Sequence, residues 1–138
     1  MDITRSCDFF ASMDDDTLFS RGREEFNQGL FFDCHESLEA LWRRQTDPEK
    51  SFTQALIQIA VAHHHLGRNN VKGARTLYDK ALSRIDKPCP VFAFSRYNAI
   101  DFATLVACAK ANLALLTRIQ QMQDQDKDMI DQIIVPSI

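Results

Sequence analysis

Apolar positions along the chain recur about every 3.6 residues, and no segment shows the strict alternation of a half-buried strand. Asp14-Asp15-Asp16 before Thr17 supplies an N-cap and acidic first-turn charge for a helix running to about Gln28. Gly29 is a natural residue to stop it. A second helix is expected from Leu30 or Phe31 to about Gln45. Asp47-Pro48 reads as an N-cap followed by proline at the first helical position. The third helix it opens passes through Phe52 and Ile59 to about Leu66, where Gly67 ends it. Asn69-Asn70 caps a fourth, with Val71, Ala74, Leu77, Tyr78, Ala81, Leu82 and Ile85 on one stripe.

Pro88 and Pro90 keep residues 86–98 from forming one regular helix, while Val91, Phe92, Phe94 and Tyr97 draw the stretch against the body. Asp101 caps a fifth helix bearing Phe102, Leu105, Val106, Ala109, Leu113, Leu116 and Ile119. Residues 120–128 are polar and expected to fray; Met129, Ile130, Ile133, Ile134 and Val135 form an apolar tail expected to dock. Short connections imply antiparallel neighbours. The expectation is an all-α, single-domain antiparallel helical bundle of about five helices over residues 1–138.

Composition narrows the class without revising that picture. With 138 residues, 45% hydrophobic and 25% charged, the chain is ordinary for one globular domain. Its net charge of −3 is uneven. Residues 1–16 hold five Asp against one Arg, and 124–131 hold four Asp against one Lys, which leaves a mildly basic body. No run of Lys and Arg follows one element, so nucleic acid is not an expected partner. No uninterrupted apolar run approaches the roughly 18 residues of a membrane span, and no secretory leader is evident, so a cytoplasmic protein without membrane attachment is expected. Cys7, Cys34, Cys89 and Cys108 show no close metal or redox spacing and read as reduced, mostly buried thiols.

The second and third helices carry unusual polar residues. At about 100° per residue, His35, Glu36, Glu39 and Arg43 lie beside the apolar stripe of Phe31, Cys34, Leu38 and Leu41, with Trp42 at its rim. Asp33, Ser37 and Arg44 point the other way, toward expected solvent. On the next helix Ser51, Gln54, Gln58 and His65 share a phase. His63 falls with Phe52, Leu56 and Ile59, and His64 with Ile57 and Ala60, so the three adjacent histidines cannot share a face. The third helix is apolar nearly all round and is expected to be central, with the two polar stripes facing each other.

Two chemistries suit that cluster. His35 and Glu39 one turn apart, with His65, form a three-ligand set for a divalent metal such as zinc, leaving an open position. Glu36 would then act as base on bound water, with Gln58 orienting the substrate and Arg43 clamping an anion, in hydrolysis of a small molecule. Alternatively the same groups satisfy one another as a buried polar network in a non-catalytic scaffold or interaction module. In that case Phe92, Phe94 and the apolar tail at 130–135 are the contact candidates, the tail also offering a route to homo-oligomers.

Phe26, Asn27, Gly29, His35, Glu36, Leu38, Glu39, Trp42 and Arg43, followed by Leu56, Ile57, Gln58, His65, Asn70, Gly73 and Ala74, resemble the pattern of domain of unknown function family 309. The resemblance is close over 26–85 and looser after Ala99. Ala55 stands where the family commonly has Gly, His64 where an aromatic is common, and Asn69 where Gly usually precedes Asn70. The resemblance implies an all-helical domain whose central helix pair is like those of helical repeats. It also implies a candidate metal-dependent hydrolase built on the same His-Glu residues.

Overall fold

The computed structural model describes residues 7–86, 95–122 and 132–138. Six α-helices follow in order: α1 (Cys7–Ala11), α2 (Asp15–Asn27), α3 (Phe31–Trp42), α4 (Glu49–Leu66), α5 (Val71–Ile85) and α6 (Phe102–Gln121), with a 3₁₀ turn at Ser95–Ala99 before α6. Among the described residues there is no strand. The five long helices match the expected ones, and the bundle is all-α. The short α1 was not expected; Phe10 buries its ring there against the core.

Local chemistry explains the boundaries. Asp14 accepts from Thr17 N at 2.7 Å and caps α2. At its other end Gly29 adopts φ +79, Leu30 N–H reaches Glu25 O at 2.8 Å and Gly29 N–H reaches Phe26 O at 3.0 Å. That pair of bonds is a Schellman closure, which favours a residue without a Cβ at the left-handed position. Asp101 caps α6 through Thr104 N at 3.0 Å. The Asp14 and Asp101 carboxyls are both held below their ordinary range, first by the hydroxyls of Thr17 and Thr104 and then by the backbone N–H groups of the same residues. Two boundaries differ from expectation. Helix α3 stops at Trp42 rather than Gln45, and Pro48 occupies the N-cap of α4 rather than its first turn.

Helix α4 ends at Leu66 with Gly67 as its C-cap, as expected. Gly67 has a right-handed φ of −62 and does not make the turn. Asn69, at φ 58, makes it instead, with Asn70 N–H bonded to His65 O at 2.9 Å and Asn69 N–H to Leu66 O at 3.0 Å. Asparagine tolerates the left-handed region better than most other residues that carry a Cβ. Asn70 then caps α5 by accepting from Gly73 N at 3.0 Å. A Cβ on Gly73 would come within 2.6 Å of the Asn70 side chain, so glycine there leaves room for the cap.

Each long helix packs chiefly on its neighbours in sequence, α2 on α3, α3 on α4, α4 on α5 and α5 on α6. The close approach of α2 to α3 requires Gly22, where a Cβ would meet Leu38 Cδ2 at 2.5 Å. Helix α4 is central, as expected: Phe52, Ala55, Leu56, Ile57, Ile59, Ala60 and Ala62 are all buried on it. Each large apolar side chain so removed from water contributes roughly 1.5–3 kcal/mol. Phe52 meets Phe102 edge-on at 5.0 Å, linking α4 to α6, and Phe19 meets Tyr97 at 5.3 Å, fixing the 3₁₀ turn on α2.

Residues 132–138 complete the body. Ile134 exchanges two hydrogen bonds with Asn112 on α6, while Ile138 N–H reaches Asn27 Oδ1 on α2 at 2.9 Å. The part of the apolar tail that is described docks on its own chain, leaving Ile134 and Val135 exposed. Phe92, Phe94, Met129 and Ile130 lie outside the described residues. Helix α6 is long and apolar enough by composition to cross a membrane, although Lys110 and Arg118 interrupt its apolar run. Its Phe102, Leu105, Ala109, Leu116 and Ile119 are buried in the packed body.

Candidate functional site

On α3 the periodicity that buries Cys34, Leu38 and Leu41 leaves His35, Glu39 and Arg43 one turn apart on a partly exposed face. Glu39 stands between the other two. Its Oε2 lies 2.9 Å from His35 Nε2, and its Oε1 accepts from Arg43 Nη2 at 2.7 Å. Side-chain exposures of 31%, 32% and 56% for His35, Glu39 and Arg43 make this a surface ladder. Glu36 is half-buried beside it. Trp42 packs at the rim, with Lys50 Nζ 4.3 Å from its ring centroid.

The other face of α3 differs in part from the solvent-facing expectation. Ser37 is fully buried and donates to Glu25 Oε1 on α2. Arg44 reaches back to α1 and the turn after it, donating to Phe10 O at 2.9 Å and Met13 O at 2.6 Å. Only Ser37 is covered, because α2 packs against it, which the wheel of a single helix does not reveal; Arg44 stays exposed, as expected, and Asp33 is half-buried.

The three histidines at the end of α4 diverge, as their phases require. His63 turns inward. His64 is half-buried, with its ring 5.7 Å from Phe32, and Phe32 in turn lies 6.0 Å from His35. Burial and the charges of Arg68, His65 and His35 lower the His64 pKa. His65 Nδ1 pairs with Asn70 Nδ2 at 3.1 Å, so it braces the side chain that caps α5. Gln58 is buried, and among the described residues its Oε1 has no hydrogen-bond donor. Thus His35 and Glu39 meet, while His65 is engaged within its own turn.

The fit to a metal follows from this geometry. Among the described residues no group of three His, Cys, Asp or Glu side chains is gathered closely enough to hold an ion. Both Glu39 oxygens face nitrogen donors, and His65 already uses one ring nitrogen. As arranged, the expected ligand set does not fit a metal centre.

A second polar cluster lies in the core. His63 Nε2 bonds to the Tyr78 hydroxyl, which also accepts from Asn112 Nδ2 at 3.2 Å. The hydroxyl, accepting from Asn112, still has its O–H to donate, and a neutral His63 ring with its proton on Nδ1 accepts that hydrogen bond at Nε2. Asn112 donates to Ile134 O at 2.6 Å and accepts from Ile134 N at 3.0 Å, so its amide is fully used. Burial pushes His63 down to about 4 and raises the Tyr78 hydroxyl well above its ordinary value. Burial likewise pushes the Cys34 thiol up to about 12, which makes it an inert packing group. Tyr78 and Asn112 were missed as site residues, though Asn112 falls in phase with Leu105, Ala109, Leu116 and Ile119. A lone amide on an apolar stripe was the available signal.

Residues 19–77 match the model of a domain of unknown function, DUF309, the family that the sequence resembles. The matched segment spans α3, α4 and the Asn69-Asn70 corner, and it excludes Asn112 and the tail. No curated protein and no solved structure matches the chain.

Proposed function

We propose, for a chain whose residues 19–77 carry the DUF309 pattern, that it is a non-catalytic helical scaffold and not a metal-dependent hydrolase. The observation that carries this reading is the hydrogen bond between His65 and Asn70. It ties the one motif histidine of α4 to the residue that caps α5, beside the glycine that leaves room for the cap. Glu39 is similarly occupied by His35 and Arg43. The residues with the most chemistry in the pattern thus hold a corner and a helix face. The stacking of each helix on its sequence neighbours is the architecture of binding scaffolds, in which one face stays open to partners.

Hydrolysis through His35, Glu39 and His65, with Glu36 as base and Gln58 and Arg43 assisting, would require His65 to leave Asn70 and Arg43 to release Glu39. Elemental analysis of protein purified without a histidine tag tests the choice. The scaffold reading expects substoichiometric metal. It also expects His65→Ala and Asn70→Ala to destabilise to similar, non-additive extents, about 1 kcal/mol each, as partners in one cap. One divalent metal per chain, lost in both His35→Ala and His65→Ala with the fold retained, would overturn it.

A further inference from the structure

Helices α3, α4 and α5 together border an open groove of about 300 Å³, lined by Trp42, Asp47, Lys50, Ser51, Gln54 and Arg84. Lys50 stays at the groove because its ammonium rests 4.3 Å from the centroid of the Trp42 ring. Arg84 crosses from α5 and donates to Ser51 Oγ at 3.2 Å. Among the described residues neither cation forms an ion pair. Asp47 borders the groove as well but is exposed and pairs with neither.

The lining is therefore rich in donors. An ammonium, a guanidinium, a primary amide and a hydroxyl converge, against one exposed carboxylate as a purely accepting group. Such a set complements a ligand group that carries negative charge on several oxygens, and guanidinium and ammonium donors bind those oxygens through charge-assisted hydrogen bonds. Uncompensated cations from two helices also attract an anion before contact.

The geometry points to a binding subsite for an oxyanionic group, a carboxylate or a phosphate, in the groove between α3, α4 and α5. Lys50 and Arg84 supply the charge, Ser51 and Gln54 the neutral hydrogen bonds, and Trp42 a flat wall for the apolar part of the molecule that carries the anion. The groove shares no residue with the His35–Glu39–Arg43 ladder. The subsite stands or falls independently of whether the chain is catalytic.

Trp42 is the only tryptophan, so its fluorescence reports from the groove itself. The protein is titrated with sodium phosphate and, separately, with sodium acetate, sodium chloride holding the ionic strength constant. A saturable change is expected with at least one oxyanion, in the millimolar range for so small a group. Saturation by phosphate alone identifies a phosphate source for the ligand, and by acetate alone a carboxylate source. Lys50→Gln and Arg84→Gln should each weaken the apparent affinity about tenfold, while Arg118→Gln on α6 leaves it unchanged. Because Lys50→Gln alters the indole's surroundings, the same affinities are read from the backbone amide shifts of Ser51 and Gln54, with circular dichroism confirming the fold. No saturation by either anion, or equal saturation in the Lys50→Gln/Arg84→Gln double variant, would overturn the subsite.

Discussion

Two histidine clusters stand in this molecule, one built from charged side chains on a partly exposed face and the other from neutral ones in the core. His35, Glu39 and Arg43 form a ladder along the partly exposed face of α3. His63, Tyr78 and Asn112 form a chain across the core from α4 to α6, continued by the backbone of Ile134. Water competes for every hydrogen bond of the ladder, so each contributes little. In the core no water replaces a lost partner, and each group left alone costs its full desolvation. The residues that attract attention as chemistry are thus the energetically cheaper ones. Those that bind the tail to the body attract none, since they lie within apolar stripes.

The largest test of this contrast is Asn112→Ala. It removes the partner of the Ile134 N–H and C=O together with the donor to Tyr78. A loss of about 2–4 kcal/mol is expected in denaturant unfolding, with faster hydrogen exchange at the Ile134 amide than at core amides of α4. Tyr78→Phe keeps the ring and removes only the hydroxyl, and should cost about 1–3 kcal/mol. A loss below about 0.5 kcal/mol for Asn112→Ala would show that the network is wetter than its burial implies.

Protonation strikes the same network. Burial holds His63 at about 4, against an ordinary 6.5. The unfolded chain therefore binds a proton between those values that the folded chain refuses. The stabilisation is full above pH 6.5, declines as the pH falls toward 4, and is level below that. At 1.36 kcal/mol per unit, its upper limit is roughly 3 kcal/mol. Stability measured from pH 7 to pH 4 should slope downward as acid is added, and His63→Gln should flatten that slope. An unchanged slope in the variant would place the titration elsewhere.

Much of the fold was legible because helix signals are local. Asp14, Asn70 and Asp101 each cap the helix their sequence context announces, and the continuous apolar phases of α4 place it at the centre. Signals that depend on neighbours were not legible. Ser37 looks solvent-facing until α2 brings Glu25 to it. His65 shares a phase with Gln58, yet the last turn of α4 hands it to Asn70, because the chain reverses at Asn69 and carries the Asn70 amide back along the helix. Phase alone shows which way a side chain leaves its helix. It does not show which of two nearby partners has already been brought to it by a turn.

That corner gives an intermediate prediction. Asn69 adopts φ 58, a region in which glycine meets no steric penalty. Asn69→Gly should therefore be nearly neutral or stabilising by a few tenths of a kcal/mol, whereas Asn69→Val should cost about 1–2 kcal/mol. Gly73→Ala tests the room for the cap. Its added Cβ would displace the Asn70 amide, and the loss should approach the roughly 1 kcal/mol of an N-cap. Asn70→Ala combined with Gly73→Ala should then cost no more than Asn70→Ala alone, since the space has been vacated.

The smallest effect belongs to the ladder, and it separates the two clusters most sharply. Glu39→Gln keeps the shape of the side chain and removes the charge that faces both His35 and Arg43. Spacings of four residues on one helix are worth about 0.2–0.5 kcal/mol per pair in water, so the loss should stay below about 1 kcal/mol and shrink as salt is added. A double-mutant cycle between Glu39→Gln and Arg43→Gln should return a coupling of the same few tenths. The partial exposure of all three side chains sets that ceiling, because solvent takes up whatever each partner releases. A coupling of 2 kcal/mol or more would mean that the face of α3 is screened from water in solution, as it would be if a bound partner covered it.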